Sequence, residues 1–434
     1  MSSELRESIG RGPMSGFQIS AVAICMGLTM LDGFDVLVVA FTAASISTEW
    51  GLSGKQIGVL LSSGLLGMSV GSLFLAPWGD RYGRRALILL CLALMTTGML
   101  FSAVARDVSE LALLRVVTGV GIGGLLAASN VITAEYASDR WRSTAISAQA
   151  TGYPIGATIG GLIAAALISQ FGWRSVFLFG ALVSLGMIPI VLRGLPESLD
   201  FLIAKQPPGA LGKLNTLLRR MQRSELPSLP SRPAEESQQS RAALRRLLSG
   251  PNAASTLRSW SAFFFVMMPF YFVLSWTPKL LVAAGMSPQQ GITGGVLLNL
   301  GGIAGGCTFG YLSSRVALTR LTIACLVFTA ACLAMFGAFY AQLGAAMVLA
   351  LAIGAGIFSC MIGLYALAPG LYPAATRSTG MGWAIGMGRL GAVVAPTAAG
   401  ALVDANFRSA HLYYLFALPL LIAAVAVRPL RAAT

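Results

Sequence analysis

The chain has 434 residues, of which 56% are hydrophobic and only 11% are charged, whereas a soluble domain carries roughly 25% charged residues. This composition excludes a soluble globular protein and indicates a polytopic membrane protein. The formal net charge of +14 would suit a nucleic-acid partner, so the positions of the charges decide what it means.

Twelve apolar segments of helical length follow one another along the chain, each long enough to cross a bilayer with about 20 residues. We therefore predict an all-α membrane protein with twelve transmembrane helices. The first segment is too long for a signal-peptide core and carries two aspartates, so we expect it to remain as the first span. The predicted spans are 17–44, 55–78, 86–105, 109–135, 143–169, 173–192, 259–283, 290–313, 320–340, 344–370, 378–403 and 410–428.

One long polar insert separates the sixth span from the seventh. It predicts an N-terminal half at 1–193, a cytoplasmic linker at 194–258 and a C-terminal half at 259–434. Within the linker, "LGKLNTLLRRMQR" places its leucines and methionine on one helical face and its basic residues on the other. This segment either lies along the inner membrane surface or is a solvated segment that sets topology.

The basic residues are distributed unevenly between the two sides of the membrane. With both termini inside, the cytoplasmic segments hold 23 of the 30 Lys and Arg residues, the outer loops hold five, and Arg115 and Arg389 lie within spans. The positive-inside rule therefore predicts cytoplasmic termini and a bacterial-type plasma membrane location. It also explains the net charge without a nucleic-acid partner.

The two halves contain matching segments. "RSTAISAQATGYPIGATIGG" in the fifth span is similar to "RSTGMGWAIGMGRLGAVVAPTAAG" in the eleventh. Aligning their arginines pairs Gly156 with Gly391 and Gly160 with Ala395, a small-residue spacing that lets helices pack closely. Such an internal repeat is typical of secondary transporters, whose binding sites lie between the repeats.

Several motifs resemble known transporter signatures. "GDRYGRR" after the second span and "RVVTGVGIGG" in the fourth resemble the major facilitator superfamily, and "EYASDRWR" and "PESLDFL" resemble its solute-porter branch. "LDGFD", "SWTPKLL" and "GMGWAIGMGRLGA" together resemble the aromatic acid:proton symporters. The resemblance implies two pseudo-symmetric six-helix halves and import of a benzoate- or hydroxybenzoate-like anion with protons by alternating access.

The resemblance also implies gating residues at the inner boundary. The family's loop aspartate latches the inner side shut in the outward-facing state, and a carboxylate there can dock on a neighbouring helix N-terminus. The weak second-half copy of this loop has Ser314 where the aspartate would stand, which weakens the case for matching ion pairs in both halves. The predicted gating residues are Asp80, Arg81, Arg84, Arg85, Glu135 and Arg142.

Asp32 and Asp35 lie within the first span. Each ionised aspartate at mid-membrane costs roughly 2.5 to 3.5 kcal/mol on insertion scales. Positions three apart share a helix face, so burial and mutual repulsion both disfavour two ionised carboxylates there. We predict that the pair carries protons; the alternative is a salt bridge that only holds helices together.

Arg115 and Arg389 are the two cations within spans. Arg115 lies at a depth similar to that of Asp35 and can compensate its charge, although it could instead contact the substrate. Arg389 lies near the middle of the eleventh span, and its planar guanidinium suits a carboxylate, whereas the alternative is a packing role. We predict Arg389 as the substrate anchor, within an aromatic-lined cavity formed by Phe34, Tyr271, Trp276, Tyr365 and Trp383.

Other classes of function are less compatible with the sequence. No nucleophile–base pair, metal cluster or phosphate loop is recognisable, so we expect neither an enzyme nor a cofactor or metal. The main alternative is a proton-coupled drug or metabolite antiporter of the same fold, although Arg389 suits an anion better than a cationic drug. A channel or sensor fits the repeat and the buried carboxylates less well. We expect the chain to work as a monomer in the lipid bilayer, with an aromatic acid anion and protons as its partners.

Overall fold

The computed structural model describes residues 13–230, 247–248, 253–372 and 377–430. Parts of the predicted linker, at 231–246 and 249–252, therefore lie outside the described residues.

Twelve helices of the described chain are long and apolar enough to cross a membrane, which confirms the predicted fold class. Helices suit this setting because they satisfy every backbone hydrogen bond within one segment. The spanning helices are α1 (Gly16–Trp50), α2 (Gly54–Val70, continued by a π-helical turn Gly71–Leu75), α4 (Arg84–Ser102), α5 (Val108–Tyr136), α6 (Arg142–Phe171), α7 (Arg174–Gly194), α10 (Ala253–Ala283), α11 (Pro288–Ser313), α12 (Leu318–Phe339), α13 (Leu343–Leu367), α14 (Arg377–Asp404) and α15 (Ser409–Val427). Short helices are α3 (Trp78–Tyr82), α8 (Leu199–Lys205) and α9 (Ala210–Arg220).

The contacts between residues divide the chain into two compact units. The first comprises Met1–Val36, Leu66–Gly156 and Phe177–Glu235, and the second comprises Leu37–Leu65, Ala157–Val176 and Glu236–Thr434. The second unit therefore contains one end of α1, α2 and α6 in addition to the C-terminal spans.

The internal repeat is visible in helix packing within each unit. Gly156 of α6 lies against the backbone of Met30 in α1, and its repeat partner Gly391 of α14 lies against the backbone of Phe264 in α10. At both positions an added Cβ would collide with a carbonyl oxygen. Glycine is therefore needed where the fifth and eleventh spans meet the first helix of their own half.

Replacing Gly391 should separate these helices. We expect Gly391→Ala to lower the free energy of unfolding by about 1 to 3 kcal/mol, because the new methyl group overpacks the contact. Gly382→Ala in the same helix is the matched control, since nothing lies within 4 Å of an added Cβ there. Thermal unfolding of the detergent-solubilised variants measures the difference, and equal midpoints for the two would contradict the packing role.

The amphipathic segment of the linker forms α9 and packs on the first unit. Leu214 and Leu218 are fully buried, so the apolar face of α9 is covered by protein and not solvated. Both polar atoms of the Asn215 amide bond the backbone of Leu226 at 3.0 and 2.9 Å, which holds the chain after α9 against the helix.

Candidate functional site

The acidic cluster of the first unit lies on α1. Asp32 and Asp35 are each only 1% exposed, and α1 is continuous through both positions. Neither carboxylate oxygen of Asp35 has a hydrogen-bond partner among the described residues. Gly180 of α7 faces this carboxylate, and a Cβ added there would lie 3.5 Å from Asp35 Oδ1. Asp35 is thus a buried carboxyl group whose oxygens are not hydrogen-bonded by any described residue.

Arg115 of α5 interacts electrostatically with Asp35, as the sequence predicted, but the two form no salt bridge within the described chain. Its Nη1 instead donates to the thioether sulfur of Met99 at 3.0 Å, and its guanidinium lies 5.7 Å from the ring centre of Phe177. A full ion pair would hold the carboxylate in its ionised form. Among the described residues, Asp35 therefore has no ion-pair partner, although the charge of Arg115 acts on it.

A buried polar cluster lies beside α1 near Asp32. Gln149 of α6 donates through Nε2 to Ser129 Oγ at 3.2 Å and to Thr29 Oγ1 at 3.4 Å. Thr29, Asp32 and Asp35 follow one another at spacings of three residues and so lie along one helix face. This face presents a polar strip within the apolar first span.

Sequence reasoning missed the residues that surround Asp35 and Arg115. Met99, Phe177 and Gly180 are common residues in apolar spans, and nothing in the sequence distinguishes them from lipid-facing ones. Gln149 did carry a signal, because an amide in a membrane helix needs a partner, but the sequence did not show which helix would supply it.

Arg389 of the second unit lies near the middle of α14. Its charge acts on Tyr365 of α13, whose ring meets Phe263 edge-on at 5.5 Å. Gly386 leaves open space on α14 beside it, whereas a Cβ at Gly388 would lie 3.0 Å from a side chain of α10. Arg389 therefore lies next to Gly388, where α14 packs closely on α10, and near Gly386, where α14 has open space beside it.

The predicted aromatic residues occupy different surroundings. Phe34 lies beside Asp35 in the first unit and packs edge-on against Phe179, while the other four belong to the second unit. Trp276 is fully buried, and its Nε1 donates to the Pro396 carbonyl at 3.1 Å. That contact joins α10 to α14 and leaves the indole no free donor.

Trp383 and Tyr271 are the remaining two aromatic residues. Trp383 stacks on Trp260 with ring centres 5.6 Å apart and is 45% exposed, near the start of α14. Tyr271 packs edge-on against Phe270 at 5.2 Å. Both rings therefore have aromatic neighbours, and Trp383 also presents an open face.

Three of the predicted gating residues, Asp80, Arg84 and Glu135, contact one another where three of the quoted motifs meet. Arg84 pairs with Asp80 at 2.7 Å and with Glu135 at 3.1 Å. Glu135 also accepts from Ser198 Oγ at 2.9 Å and from the Leu199 backbone N–H at 2.8 Å, at the start of α8. The motifs "GDRYGRR", "EYASDRWR" and "PESLDFL" thus form one polar network within the first unit.

Glu197 and Gly83 complete this network. Glu197 Oε1 accepts from the backbone N–H groups of Arg84 at 2.7 Å and Arg85 at 3.1 Å, capping the N-terminus of α4. Gly83 has φ +103° and sits against this carboxylate, a conformation and a closeness that only glycine tolerates. A side chain at Gly83 of "GDRYGRR" would collide with the Glu197 carboxylate, which explains the glycine at this position of the motif.

The other predicted gating residues have different surroundings. The Arg81 guanidinium lies 5.3 Å from the Tyr82 ring centre, and Arg85 donates to the carbonyl of Leu192. Arg142 is exposed at the start of α6.

A second set of polar contacts joins helix ends within the second unit. Asp404 at the end of α14 accepts from the backbone N–H groups of Gly54 at 2.5 Å and Lys55 at 2.8 Å, at the N-terminus of α2. Lys279 of α10 donates to Ser47 of α1 at 2.8 Å. A carboxylate is favoured at a helix N-terminus, so these contacts fasten α1 and α2 to helices of the C-terminal half.

Comparison with known proteins matches this architecture. The family model described as "Major Facilitator Superfamily" matches residues 22–368. The chain belongs to the major facilitator superfamily. It is a transporter of this superfamily and not an enzyme.

Two curated relatives span nearly the whole chain. A gallate transporter of Pseudomonas putida is 31% identical over 428 residues, covering 98% of this chain and 94% of its own. A 4-hydroxybenzoate transporter of Pseudomonas aeruginosa is 27% identical over 98% of this chain and 95% of its own. These relatives confirm the predicted resemblance to the aromatic acid:proton symporter family.

Solved structures share the fold. The inward-open xylose transporter of E. coli superimposes with a TM-score of 0.76 at 19% identity, covering 96% of this chain and 97% of its own. At this identity the likeness shows the fold alone.

Proposed function

We propose that the protein imports an aromatic carboxylate together with protons by alternating access. The observation that carries the proposal is Asp35, a fully buried carboxyl group with an electrostatic partner in Arg115 and no hydrogen bond from any described residue to its oxygens. A group that only joined helices would be expected to form that bond. A carboxyl group left unbonded suits proton uptake on one side of the membrane and release on the other.

The substrate class follows from the relatives and from Arg389. Gallate and 4-hydroxybenzoate are both benzene rings with a carboxylate, and their transporters align with this chain along nearly its whole length. Burying such an anion in a membrane protein requires a cation. Arg389 is the mid-span cation of the C-terminal half, and Tyr271, Tyr365 and Trp383 are aromatic residues of the same unit that a ring could contact.

Alternating access gives a role to the two sets of polar contacts. With both termini in the cytoplasm, as the basic residues favour, the Asp80–Arg84–Glu135 network lies at the inner boundary. The Asp404 and Lys279 contacts then lie at the outer boundary, where they fasten helices of the two halves together. The outer contacts must break before the protein can open toward the outside. In that outward-facing state, the inner network keeps the cytoplasmic side closed.

Uptake of labelled aromatic acids tests the proposed function. Cells that produce the protein should accumulate benzoate, hydroxybenzoates or gallate above cells that lack it, and an uncoupler should abolish the accumulation. An aliphatic acid of similar size should compete poorly. Preferential transport of neutral or cationic aromatic compounds would contradict the proposal and favour an antiporter.

The inner latch can be tested at Asp80. We propose that Asp80, which pairs with Arg84 at 2.7 Å, holds the inner boundary shut in the outward-facing state. Asp80→Asn should then lower the population of that state by about two- to fivefold, the range of an exposed pair. Labelling of cysteines introduced into the outer halves of α1 and α10 should slow accordingly. Glu225→Gln, which removes an exposed 2.7 Å pair with Arg219, is the control. Identical labelling of Asp80→Asn and the parent would exclude a gating role.

A further inference from the structure

A basic cavity lies in the first unit beside the inner polar network, with which it shares Arg85 and Glu197. Its volume is about 560 Å³, and it opens between α9 and the ends of α1, α4 and α7. Four cations and one carboxylate line it: Arg85, Arg193, Lys213, Arg220 and Glu197. The cavity therefore has an excess of three positive charges.

These positive charges are not neutralised by neighbouring side chains. In the described part of the chain, none of the four cations forms a salt bridge, whereas Arg84 and Arg219 close by both do. Glu197 is already bonded to the backbone N–H groups at the start of α4. Arg85 donates to the carbonyl of Leu192, and its buried Nε has no hydrogen-bond partner among the residues that the structure describes. The cavity thus offers unused donors to an anion.

The rest of the lining is apolar. The Arg220 guanidinium lies 5.5 Å from the ring centre of Phe17, and Leu195, Leu202 and Leu217 contribute further apolar surface. Leu192, also in the lining, is 49% exposed on the outside of α7. A small soluble anion would use only the cations. A phospholipid would use both kinds of surface, with its phosphate among the cations and its acyl chains along the apolar residues.

The position of the cavity fits a lipid headgroup. Phe17 is near the start of α1, Arg85 is near the start of α4 and Leu192 is near the end of α7, so the cavity lies where these helices leave the bilayer. We propose that it binds the phosphate headgroup of an anionic phospholipid. In the orientation proposed above, this lipid belongs to the cytoplasmic leaflet. It fastens the linker helix α9 to the N-terminal half.

Native mass spectrometry of the purified protein with added phosphatidylglycerol tests this site. The double variant Lys213→Gln/Arg220→Gln should bind this lipid on the order of tenfold or more weakly than the parent, because each cation contributes to attraction of an anionic headgroup. The matched control is Lys205→Gln/Arg219→Gln, which removes two charges from the same segment without altering the cavity lining. It should bind as the parent does.

Three results would overturn the proposal. They are equal retention of phosphatidylglycerol by the parent and the Lys213/Arg220 variant, equal binding of phosphatidylcholine, and displacement of the lipid by inorganic phosphate at a similar concentration. The last would assign the cavity to a soluble anion.

Arg193→Gln is a second variant that tests the site if the double variant fails to fold. It changes one exposed residue and should weaken phosphatidylglycerol binding severalfold. The readout is lipid binding, so the result does not depend on the transported substrate.

Discussion

Asp35→Asn should abolish uphill transport while leaving the protein folded and able to bind substrate. The amide resembles the protonated carboxyl in shape but cannot release a proton, so substrate movement is no longer linked to proton movement. A pH gradient of one unit stores about 1.4 kcal/mol per proton, which lets a one-proton symporter concentrate its substrate about tenfold. In proteoliposomes with such a gradient, the parent should approach this ratio faster than protein-free vesicles do, whereas Asp35→Asn should add no uphill uptake to the protein-free background.

The comparison requires two controls. Weak aromatic acids cross bilayers in their neutral form, so protein-free vesicles give the background. Asp107→Asn is the matched variant, because Asp107 caps α5 through its side-chain oxygen and asparagine caps helices equally well. It should accumulate substrate as the parent does. Uphill uptake by Asp35→Asn at the parental level would exclude Asp35 as the coupling group.

Arg389→Ala should weaken binding of aromatic acids by about ten- to a hundredfold. The reason is the loss of a charge-assisted hydrogen bond, which contributes roughly 1.5 to 3 kcal/mol. Arg389→Lys should fall between the parent and the alanine variant, because lysine keeps the charge but loses the planar pair of donors. Equilibrium binding of labelled 4-hydroxybenzoate to the purified variants measures both effects.

Arg315→Ala is the control for the loss of an arginine in the same half. Arg315 is exposed and lies 4.4 Å from the ring centre of Tyr311, away from the middle of the spans, so its removal should leave affinity unchanged. If Arg389→Ala binds aromatic acids as tightly as the parent, the anchor lies elsewhere, and Arg115 becomes the next candidate.

The fold could be predicted from the sequence because a membrane imposes simple rules. Hydropathy located all twelve spans, although the predicted first span ended at 44 whereas α1 continues to Trp50. The repeat predicted that Gly156 and Gly391 occupy matching positions, and both prove to be close helix contacts. Such positions are predictable because the allowed residue types are few.

The surroundings of the functional residues were harder to predict. The sequence placed Arg115 near Asp35 by depth, but Met99 and Phe177, which contact its guanidinium, are ordinary apolar residues without a distinguishing pattern. That Trp276 lines a substrate cavity stays a prediction; its complete burial and its hydrogen bond to the Pro396 carbonyl were not predictable from the sequence. Composition does not say which face of an apolar helix meets protein, lipid or substrate.

The contacts of charged residues at helix ends were also not predictable from the sequence. Asp404 reads in the sequence as a loop charge after the eleventh span, and only the structure brings its carboxylate to the N-terminus of α2. Glu197 belongs to a recognisable motif, but its partners at the start of α4 are more than a hundred residues away. Contacts of this kind depend on the packing of distant segments.

The most direct test of proton-coupled import is the internal pH of proteoliposomes when an aromatic acid is added outside. With a pH-sensitive dye trapped inside and no initial gradient, 4-hydroxybenzoate should acidify the lumen of vesicles that contain the parent protein. The acidification should exceed that of protein-free vesicles and of vesicles with Asp35→Asn. Alkalinisation of the lumen, or substrate entry with no pH change beyond the protein-free background, would contradict proton symport.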